Sequence, residues 1–133
     1  MPEQVGGLQP GVSTDTLVAR TVFGLSVAQG PEGPVVRRGG TSSNSSADGW
    51  TPLRRYSTDD GAANEIIARF KRRFEFREIR DGQDWVVFFG FFADKDGVPT
   101  IRIAVQVRAA TRALAICEAG LVLVDKIAAG QLS

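Results

Sequence analysis

The sequence of 133 residues contains no histidine and only one cysteine, Cys117. The missing imidazole excludes Ser-His-Asp and Cys-His catalysis, and it removes the commonest ligand of zinc and copper. A single cysteine cannot form an internal disulfide, which favours a reducing, intracellular compartment. We therefore predict a protein that is not an enzyme, has no metal site and needs no cofactor.

Charge of one sign is also lacking, since sixteen basic side chains are balanced by fifteen acidic ones. This balance excludes the strongly basic field of a histone-like protein. The longest apolar stretch, residues 113–129, is interrupted by Glu118, Asp125 and Lys126, so no membrane span is expected. The first residues lack the basic-then-apolar pattern of a secretory signal, and we predict a cytoplasmic protein.

The composition fits one domain, which we place at residues 13–130 after a flexible lead-in at residues 1–12. The cluster Ser13–Thr14–Asp15 predicts a helix cap, and Gly24 lies near the expected end of that helix. Residues 29–49 are dense in Gly, Pro, Ser and Asn and are predicted to form a long loop. The apolar stripe of this first helix has helical spacing and comprises Leu17, Val18, Val22 and Leu25.

The second half of the chain predicts a helix, three strands and a final helix. Tyr56–Asp60 has the hydroxyls and carboxylates of a helix start, and this helix is expected to run to about Arg72. The last helix is capped by Thr111 and ends near Gly130. Strands are predicted at residues 74–80, 85–93 and 100–108, separated by the turn signals Asp81-Gly82 and Asp96-Gly97.

These elements predict an α+β three-layer sandwich: a mainly antiparallel three-stranded sheet with helices on both faces. The central strand is apolar on both sides and therefore needs cover on both sides. The third strand alternates, with Ile101, Ile103, Val105 and Val107 expected on one face and Arg102, Ala104, Gln106 and Arg108 on the other. The last helix is apolar nearly all round, which indicates burial in the core or at a subunit interface, and we favour a homo-oligomer.

Three short segments resemble landmarks of the phage ABA sandwich domain family, and together they cover roughly residues 15–129. They are Asp15-Thr16-Leu17-Val18-Ala19 with Val22-Phe23-Gly24, Tyr56-Ser57-Thr58-Asp59 before Ala62-Ala63, and the run 109–117 around Thr111. The resemblance implies a three-layer fold and a small phage or prophage protein in the host cytoplasm. It implies no catalytic residues. The long Gly/Ser-rich loop departs from the family pattern.

The segment from Trp50 to Tyr56 is the best candidate for a binding site. An indole and a phenol flank Arg54 and Arg55, and a capped helix start with Thr58 follows. Aromatic faces stack on bases, and guanidiniums and helix N-terminal amides hold phosphates. Arg108 and Arg112 complete the predicted ligand-binding set. The alternatives are a hydrophobic staple formed by Trp50 or Tyr56, and ordinary surface ion pairs for the arginines.

The leading hypothesis is a counter-defence protein that sequesters a small phosphorylated nucleotide, such as a cyclic nucleotide or a cyclic ADP-ribose type of signal. Nucleic-acid binding is the alternative, because residues 58–129 have the element order of a double-stranded RNA-binding domain. That module needs several basic residues at the start of its last helix, where this sequence has only Arg112. A structural part of the virion is a third possibility.

Overall fold

The computed structural model describes residues 8–38 and 50–130, which form three helices and six strands. The α+β class and the antiparallel three-stranded sheet predicted for the second half of the chain are confirmed. A second, smaller sheet is also present, in the order β1-β2-β3. The elements in chain order are α1 (Val12–Thr21), β1 (Leu25–Gly30), β2 (Gly33–Arg38), β3 (Thr51–Pro52), α2 (Asp60–Phe70), β4 (Glu75–Asp81), β5 (Asp84–Lys95), β6 (Val98–Ala109) and α3 (Arg112–Ala128).

A hairpin of the small sheet stands where residues 29–38 were predicted to begin a long loop. Strands β1 and β2 form a hairpin in which Val27 lies opposite Val36. The alternation of apolar and polar residues in this hairpin is interrupted by Gly30, Pro31, Gly33 and Pro34. Glycine and proline are the usual signals of a loop, so the sequence did not predict strands here. Residues 1–7 of the predicted lead-in and residues 39–49 of the predicted loop lie outside the described residues.

Helix α1 begins differently from the prediction. It starts at Val12, and Gly11 occupies the N-cap position without a side-chain cap. Thr14 and Asp15 lie inside the first turn, where both are buried and bond to other segments instead of capping the helix. The helix ends before Gly24, whose φ of +67° is in the left-handed region, so Leu25 belongs to β1.

The starts of α2 and α3 agree with the prediction, because in both a side chain satisfies a free amide of the first turn. The carboxylate of Asp59 accepts a hydrogen bond from the Gly61 amide, and the hydroxyl of Thr111 accepts one from the Leu114 amide. Helix α2 ends at Phe70, two residues before the predicted end.

Helix α3 is the centre of the core. It packs against β5 and β6 of the large sheet and against both α1 and α2. Gly120 allows the close approach of α2, since a Cβ there would lie 2.7 Å from Cγ2 of Ile66. The apolar circumference of α3 is therefore explained within one chain. This agrees with burial in the core, one of the two environments that the sequence allowed for α3. The buried residues of α3 are Ala113, Leu114, Ala115, Ile116, Cys117, Glu118, Ala119, Gly120, Leu121 and Leu123.

The helices lie on one face of the large sheet, which we call the inner face. Val87 and Phe89 point into the core from this face and are fully buried. The opposite, outer face carries Ile79, Phe92 and Ile103, all exposed. The described residues thus place helices on one face of this sheet, where the sequence predicted helices on both.

A β-bulge explains why β6 does not alternate as predicted. Val105 pairs with Phe89, but Ile103 pairs with Gly90, so Ala104 is an extra residue. Because one extra residue reverses the side-chain alternation, Ile103 points to the outer face while Val105 points to the core. Gly90 permits the bulge, since a Cβ there would lie 2.8 Å from the Arg102 carbonyl oxygen.

Asp15 and Ser57 form a buried polar link between α1 and the segment before α2. Oδ1 of Asp15 accepts hydrogen bonds from the Ser57 amide at 2.8 Å and from the Ser57 hydroxyl at 2.6 Å. The Ser57 hydroxyl oxygen in turn accepts a bond from the Gly11 amide at 2.9 Å. Two of the segments that resemble the ABA sandwich landmarks therefore meet at this contact.

We expect Asp15→Ala to lower the free energy of unfolding by about 2–4 kcal/mol, because two buried donors lose a charged acceptor. Ser57→Ala keeps the amide bond to Asp15 and should cost roughly half as much. Urea denaturation of both variants measures the difference. An Asp15→Ala variant within about 0.5 kcal/mol of the unmodified chain would contradict the link.

Glu118 is 1% exposed in the middle of α3, and its Oε1 has no hydrogen-bond partner among the described residues. Desolvation raises the pKa of this carboxyl to about 7. The pKa of Glu118 is higher in the folded protein than in the unfolded chain. The protonated carboxyl therefore contributes its full stability at acid pH, and this contribution is lost as the pH rises to about 7.

The free energy of unfolding of Glu118→Gln, relative to the unmodified chain, should therefore rise by about 2 kcal/mol between about pH 5 and about pH 8. Denaturation curves over this range test the prediction. A difference that does not change with pH would show that Glu118 is ionised in the folded protein.

Candidate functional site

A cleft of about 430 Å³ lies between the small sheet and α2. We call it the arginine cleft, because three guanidiniums and one carboxylate surround it. The cleft is lined by residues from the end of α1, from both long strands of the small sheet and from α2. These segments are distant in sequence, so the cleft exists only in the folded chain. Its lining residues are Phe23, Leu25, Val36, Arg37, Thr51, Arg54, Tyr56, Glu65 and Arg69.

Tyr56 and Phe23 form the aromatic floor of the arginine cleft. Their rings stack with centroids 5.2 Å apart and an angle of 18° between the planes. Tyr56 is only 2% exposed, so its ring supports the cleft from below and offers no free face to a ligand. Burial, together with the nearby Glu65 carboxylate, raises the pKa of the Tyr56 phenol to about 12. The phenol is therefore a neutral hydrogen-bond donor at physiological pH.

The three arginines of the cleft are held by different partners. The Arg37 guanidinium lies 4.5 Å above the ring centre of Trp50, a cation–π contact. Arg69 donates from Nε to the Val22 carbonyl oxygen at 3.2 Å. Arg54 forms a salt bridge with Glu65. One carboxylate against three guanidiniums leaves the cleft with excess positive charge.

Strand pairing brings Arg37 and Trp50 together. Val36 of β2 lies opposite Thr51 of β3, so the residues on either side of this pair, Arg37 and Trp50, are neighbours across the small sheet. The indole is partly exposed and the Arg37 side chain is half-buried. The contact therefore pre-orients a guanidinium at the rim of the cleft.

Three of the predicted binding residues meet at this cleft. Arg54 and Tyr56 line it, and Trp50 contacts it through Arg37. Arg55 is exposed but does not line the cleft. For Tyr56 the structure supports the alternative interpretation, a ring that seals the segment leading into α2.

Thr58 and Arg112 belong to a second groove, of about 570 Å³, between the starts of α2 and α3. Arg112 donates from Nε to Glu78 at 2.7 Å and from Nη2 to Asn64 at 2.9 Å. Asp60 lies 3.8 Å from its Nη1. These acceptors compensate the unfavourable position of an arginine at a helix N-terminus. Arg112 thus has the surface ion pairs that the sequence left as an alternative.

Arg108 is also engaged elsewhere. It forms salt bridges with Asp81, which precedes the turn between β4 and β5, and with Asp84, which follows that turn. It lies opposite Val86 in the large sheet, away from the residues of the arginine cleft. The structure therefore separates Arg108 and Arg112 from the Trp50–Tyr56 segment with which they were grouped.

Three residues of the cleft, Arg37, Glu65 and Arg69, are absent from the binding set predicted from the sequence. Arg37 lies in the segment predicted as a loop, so nothing placed it beside Trp50. Arg69 and Glu65 are four residues apart on α2, a spacing typical of ordinary surface pairs. Within residues 8–38 and 50–130, no helix is long and apolar enough to cross a membrane, and no cluster of three potential metal ligands occurs.

No protein-family model matches the chain, and no curated protein matches it. Among solved structures, the chain is similar to a phage protein from Bacillus cereus, whose crystal structure was determined at 2.0 Å. The TM-score is 0.57 at 14% sequence identity, over 92% of this chain and 99% of the other. This similarity establishes a shared fold.

Proposed function

We propose that the chain is a non-enzymatic phage accessory protein whose arginine cleft binds and sequesters a small anionic nucleotide. The proposal depends on one observation: Arg37, Arg54 and Arg69 surround a single cleft with an aromatic floor. The cleft volume of about 430 Å³ is within the range of about 300–1,000 Å³ that small-molecule sites occupy. The fold similarity to a phage protein supports the phage origin.

The chemistry of the cleft suits a phosphate attached to a base. Guanidiniums donate two parallel hydrogen bonds to a phosphate, and this bidentate geometry favours arginine over lysine. The partly exposed indole of Trp50 can stack on a base at the rim. A cyclic nucleotide or a cyclic ADP-ribose type of signal combines both features in one small molecule.

Glu65 sets the selectivity of the cleft in this proposal. Its carboxylate already holds Arg54, so a ligand must replace that carboxylate as the partner of the guanidinium. A phosphate replaces one charge-assisted pair by another, and Arg37 and Arg69 offset its repulsion from the displaced carboxylate. A neutral nucleoside leaves Arg54 with Glu65 and gains only stacking.

We expect no catalysis at this cleft because of the chemical groups that line it. Tyr56 keeps its proton at neutral pH and is buried, so it is poorly suited to act as a base. Arginines remain protonated and act as donors only. The one carboxylate that lines the cleft, Glu65, is paired with Arg54, so we expect the cleft to bind an anion rather than to move a proton.

Nucleic-acid binding is less favoured. The order of α2, β4, β5, β6 and α3 does match that of a double-stranded RNA-binding domain. However, Arg112 at the start of α3 is bonded to Glu78 and Asn64 and is not free to contact a phosphate.

Ligand binding is tested by isothermal titration and thermal melting with cyclic AMP, a cyclic dinucleotide and cyclic ADP-ribose, with adenosine as the uncharged probe. We expect at least one anionic probe to raise the Tm, by linkage to the folded state. Arg37→Ala and Arg54→Ala should each weaken that binding roughly 10-fold or more.

Arg55→Ala is the matched control, because Arg55 adjoins Arg54 in sequence but does not line the cleft. Its affinity should equal that of the unmodified chain. Absence of any Tm shift at about 1 mM probe, or equal losses in Arg54→Ala and Arg55→Ala, would contradict the proposal. Binding of duplex RNA that weakens steeply with salt and does not depend on Arg54 would favour the alternative.

A further inference from the structure

The outer face of the large sheet carries a continuous apolar patch. Its exposed members are Ile79, Phe92, Ile101 and Ile103, which are 53%, 62%, 41% and 54% exposed. In the pairing register Phe92 lies opposite Ile101, and Ile103 lies opposite Gly90. Half-buried Phe88 connects this group to Ile79 and Val86 across the strands. We call these residues the outer patch.

The outer patch extends onto an arm formed by the long β5–β6 hairpin. Strand β4 begins at Glu75, which pairs with Gly90, so its pairing with β5 extends no further than Gly90. Strands β5 and β6 remain paired beyond this point, as far as Lys95 and Val98. Residues 91–102 therefore extend beyond the third strand. Contiguous exposed apolar surfaces of this kind typically mark interaction sites in soluble proteins.

Five charged side chains on the three-stranded part of this face are paired with one another. Arg77 forms a salt bridge with Glu75 at 3.1 Å, and Arg108 forms salt bridges with Asp81 and Asp84. The register places all five side chains on the outer face. Asp94, at the tip of the arm, is a further acidic residue on this face. The face therefore has no excess of positive charge to attract a polyanion, and its apolar centre carries no charge that would repel a second copy.

The area of the face agrees with the requirement of a dimer. With about 3.3 Å per residue and about 4.8 Å between strands, three strands of these lengths cover roughly 500 Å² in plan. Because side chains project from the sheet, its accessible surface is larger than this plan area. It approaches the area of about 800 Å² that each partner buries in a standard interface. Symmetric pairs of identical chains are also the commonest oligomers of soluble proteins.

Edge-to-edge pairing through β6 is hindered, which favours packing through the face of the sheet. The Ala104 carbonyl oxygen at the bulge accepts a hydrogen bond from Lys126 Nζ at 2.9 Å. Pro99 lies near the other end of the same strand. A bulge, a lysine and a proline are the devices that protect a strand edge from pairing.

We propose that two copies of this chain pack the outer patches of their large sheets face to face about a two-fold axis near Ile103. This inference is independent of the function proposed for the arginine cleft. Ile103 is central in the patch, between Phe92 on the arm and Phe88 on the three-stranded part. The dimer supplies the cover that the apolar second face of β5 requires.

Sedimentation equilibrium over a concentration series tests the dimer. The unmodified chain should have twice its 14.3 kDa mass at about 100 µM. Phe92→Lys and Ile103→Lys should each weaken dimerisation about 100-fold or more, because the two-fold axis buries two unpaired charges. Both side chains are exposed in one chain, so the circular dichroism spectrum and Tm of the diluted monomer should change little.

Leu17→Lys is the matched control, since Leu17 is an exposed leucine on α1 and lies outside the outer patch. It should dimerise like the unmodified chain. A monomer at about 100 µM would overturn the proposal. So would a dimer that persists in both outer-patch variants, or one that Leu17→Lys dissociates equally.

Discussion

The buried contact between Asp15 and Ser57 determines how the first half of the chain is placed on the second. Ser57 follows Tyr56 directly and precedes the α2 cap at Asp59 by two residues. Fixing Ser57 therefore fixes the cleft floor and the start of α2 together. Because Phe23 follows α1 and stacks on Tyr56, the same contact also places α1 against this floor. Two hydrogen bonds to one buried carboxylate thus organise the residues that surround the arginine cleft.

The large sheet depends on a single extra residue in β6. The extra residue, Ala104, reverses the alternation of side chains along β6, so the odd-numbered residues on its two sides point to opposite faces of the sheet. Val105 supports the core, while Ile103 belongs to the outer patch. Gly90 is required opposite, because any larger residue would meet the Arg102 carbonyl. One strand pair can therefore bury one apolar surface inside the chain and present another to a second copy.

Much of the fold was predictable because its signals are local. Asp59, Thr111 and the Asp96-Gly97 turn each act within a few residues, and α2, α3 and the large sheet followed from them. The small sheet was not predictable, since glycine and proline hide the pairing of Val27 with Val36. The neighbours of Trp50 and Arg112 also lay beyond sequence reasoning. Arg37 is contributed by another strand, and Glu78 is 34 positions from Arg112. Contacts between distant segments decided which arginines share a cleft.

The two tryptophans report directly on where a ligand binds. Trp50 contacts Arg37 at the arginine cleft, whereas Trp85 lines the groove between the starts of α2 and α3. In an ¹⁵N-labelled sample, the indole N–H signals of the two residues can be followed separately during a titration with an anionic nucleotide. Binding at the arginine cleft should give a saturating shift of the Trp50 signal and leave the Trp85 signal unchanged. A shift of Trp85 alone, or of neither signal, would contradict binding at this cleft.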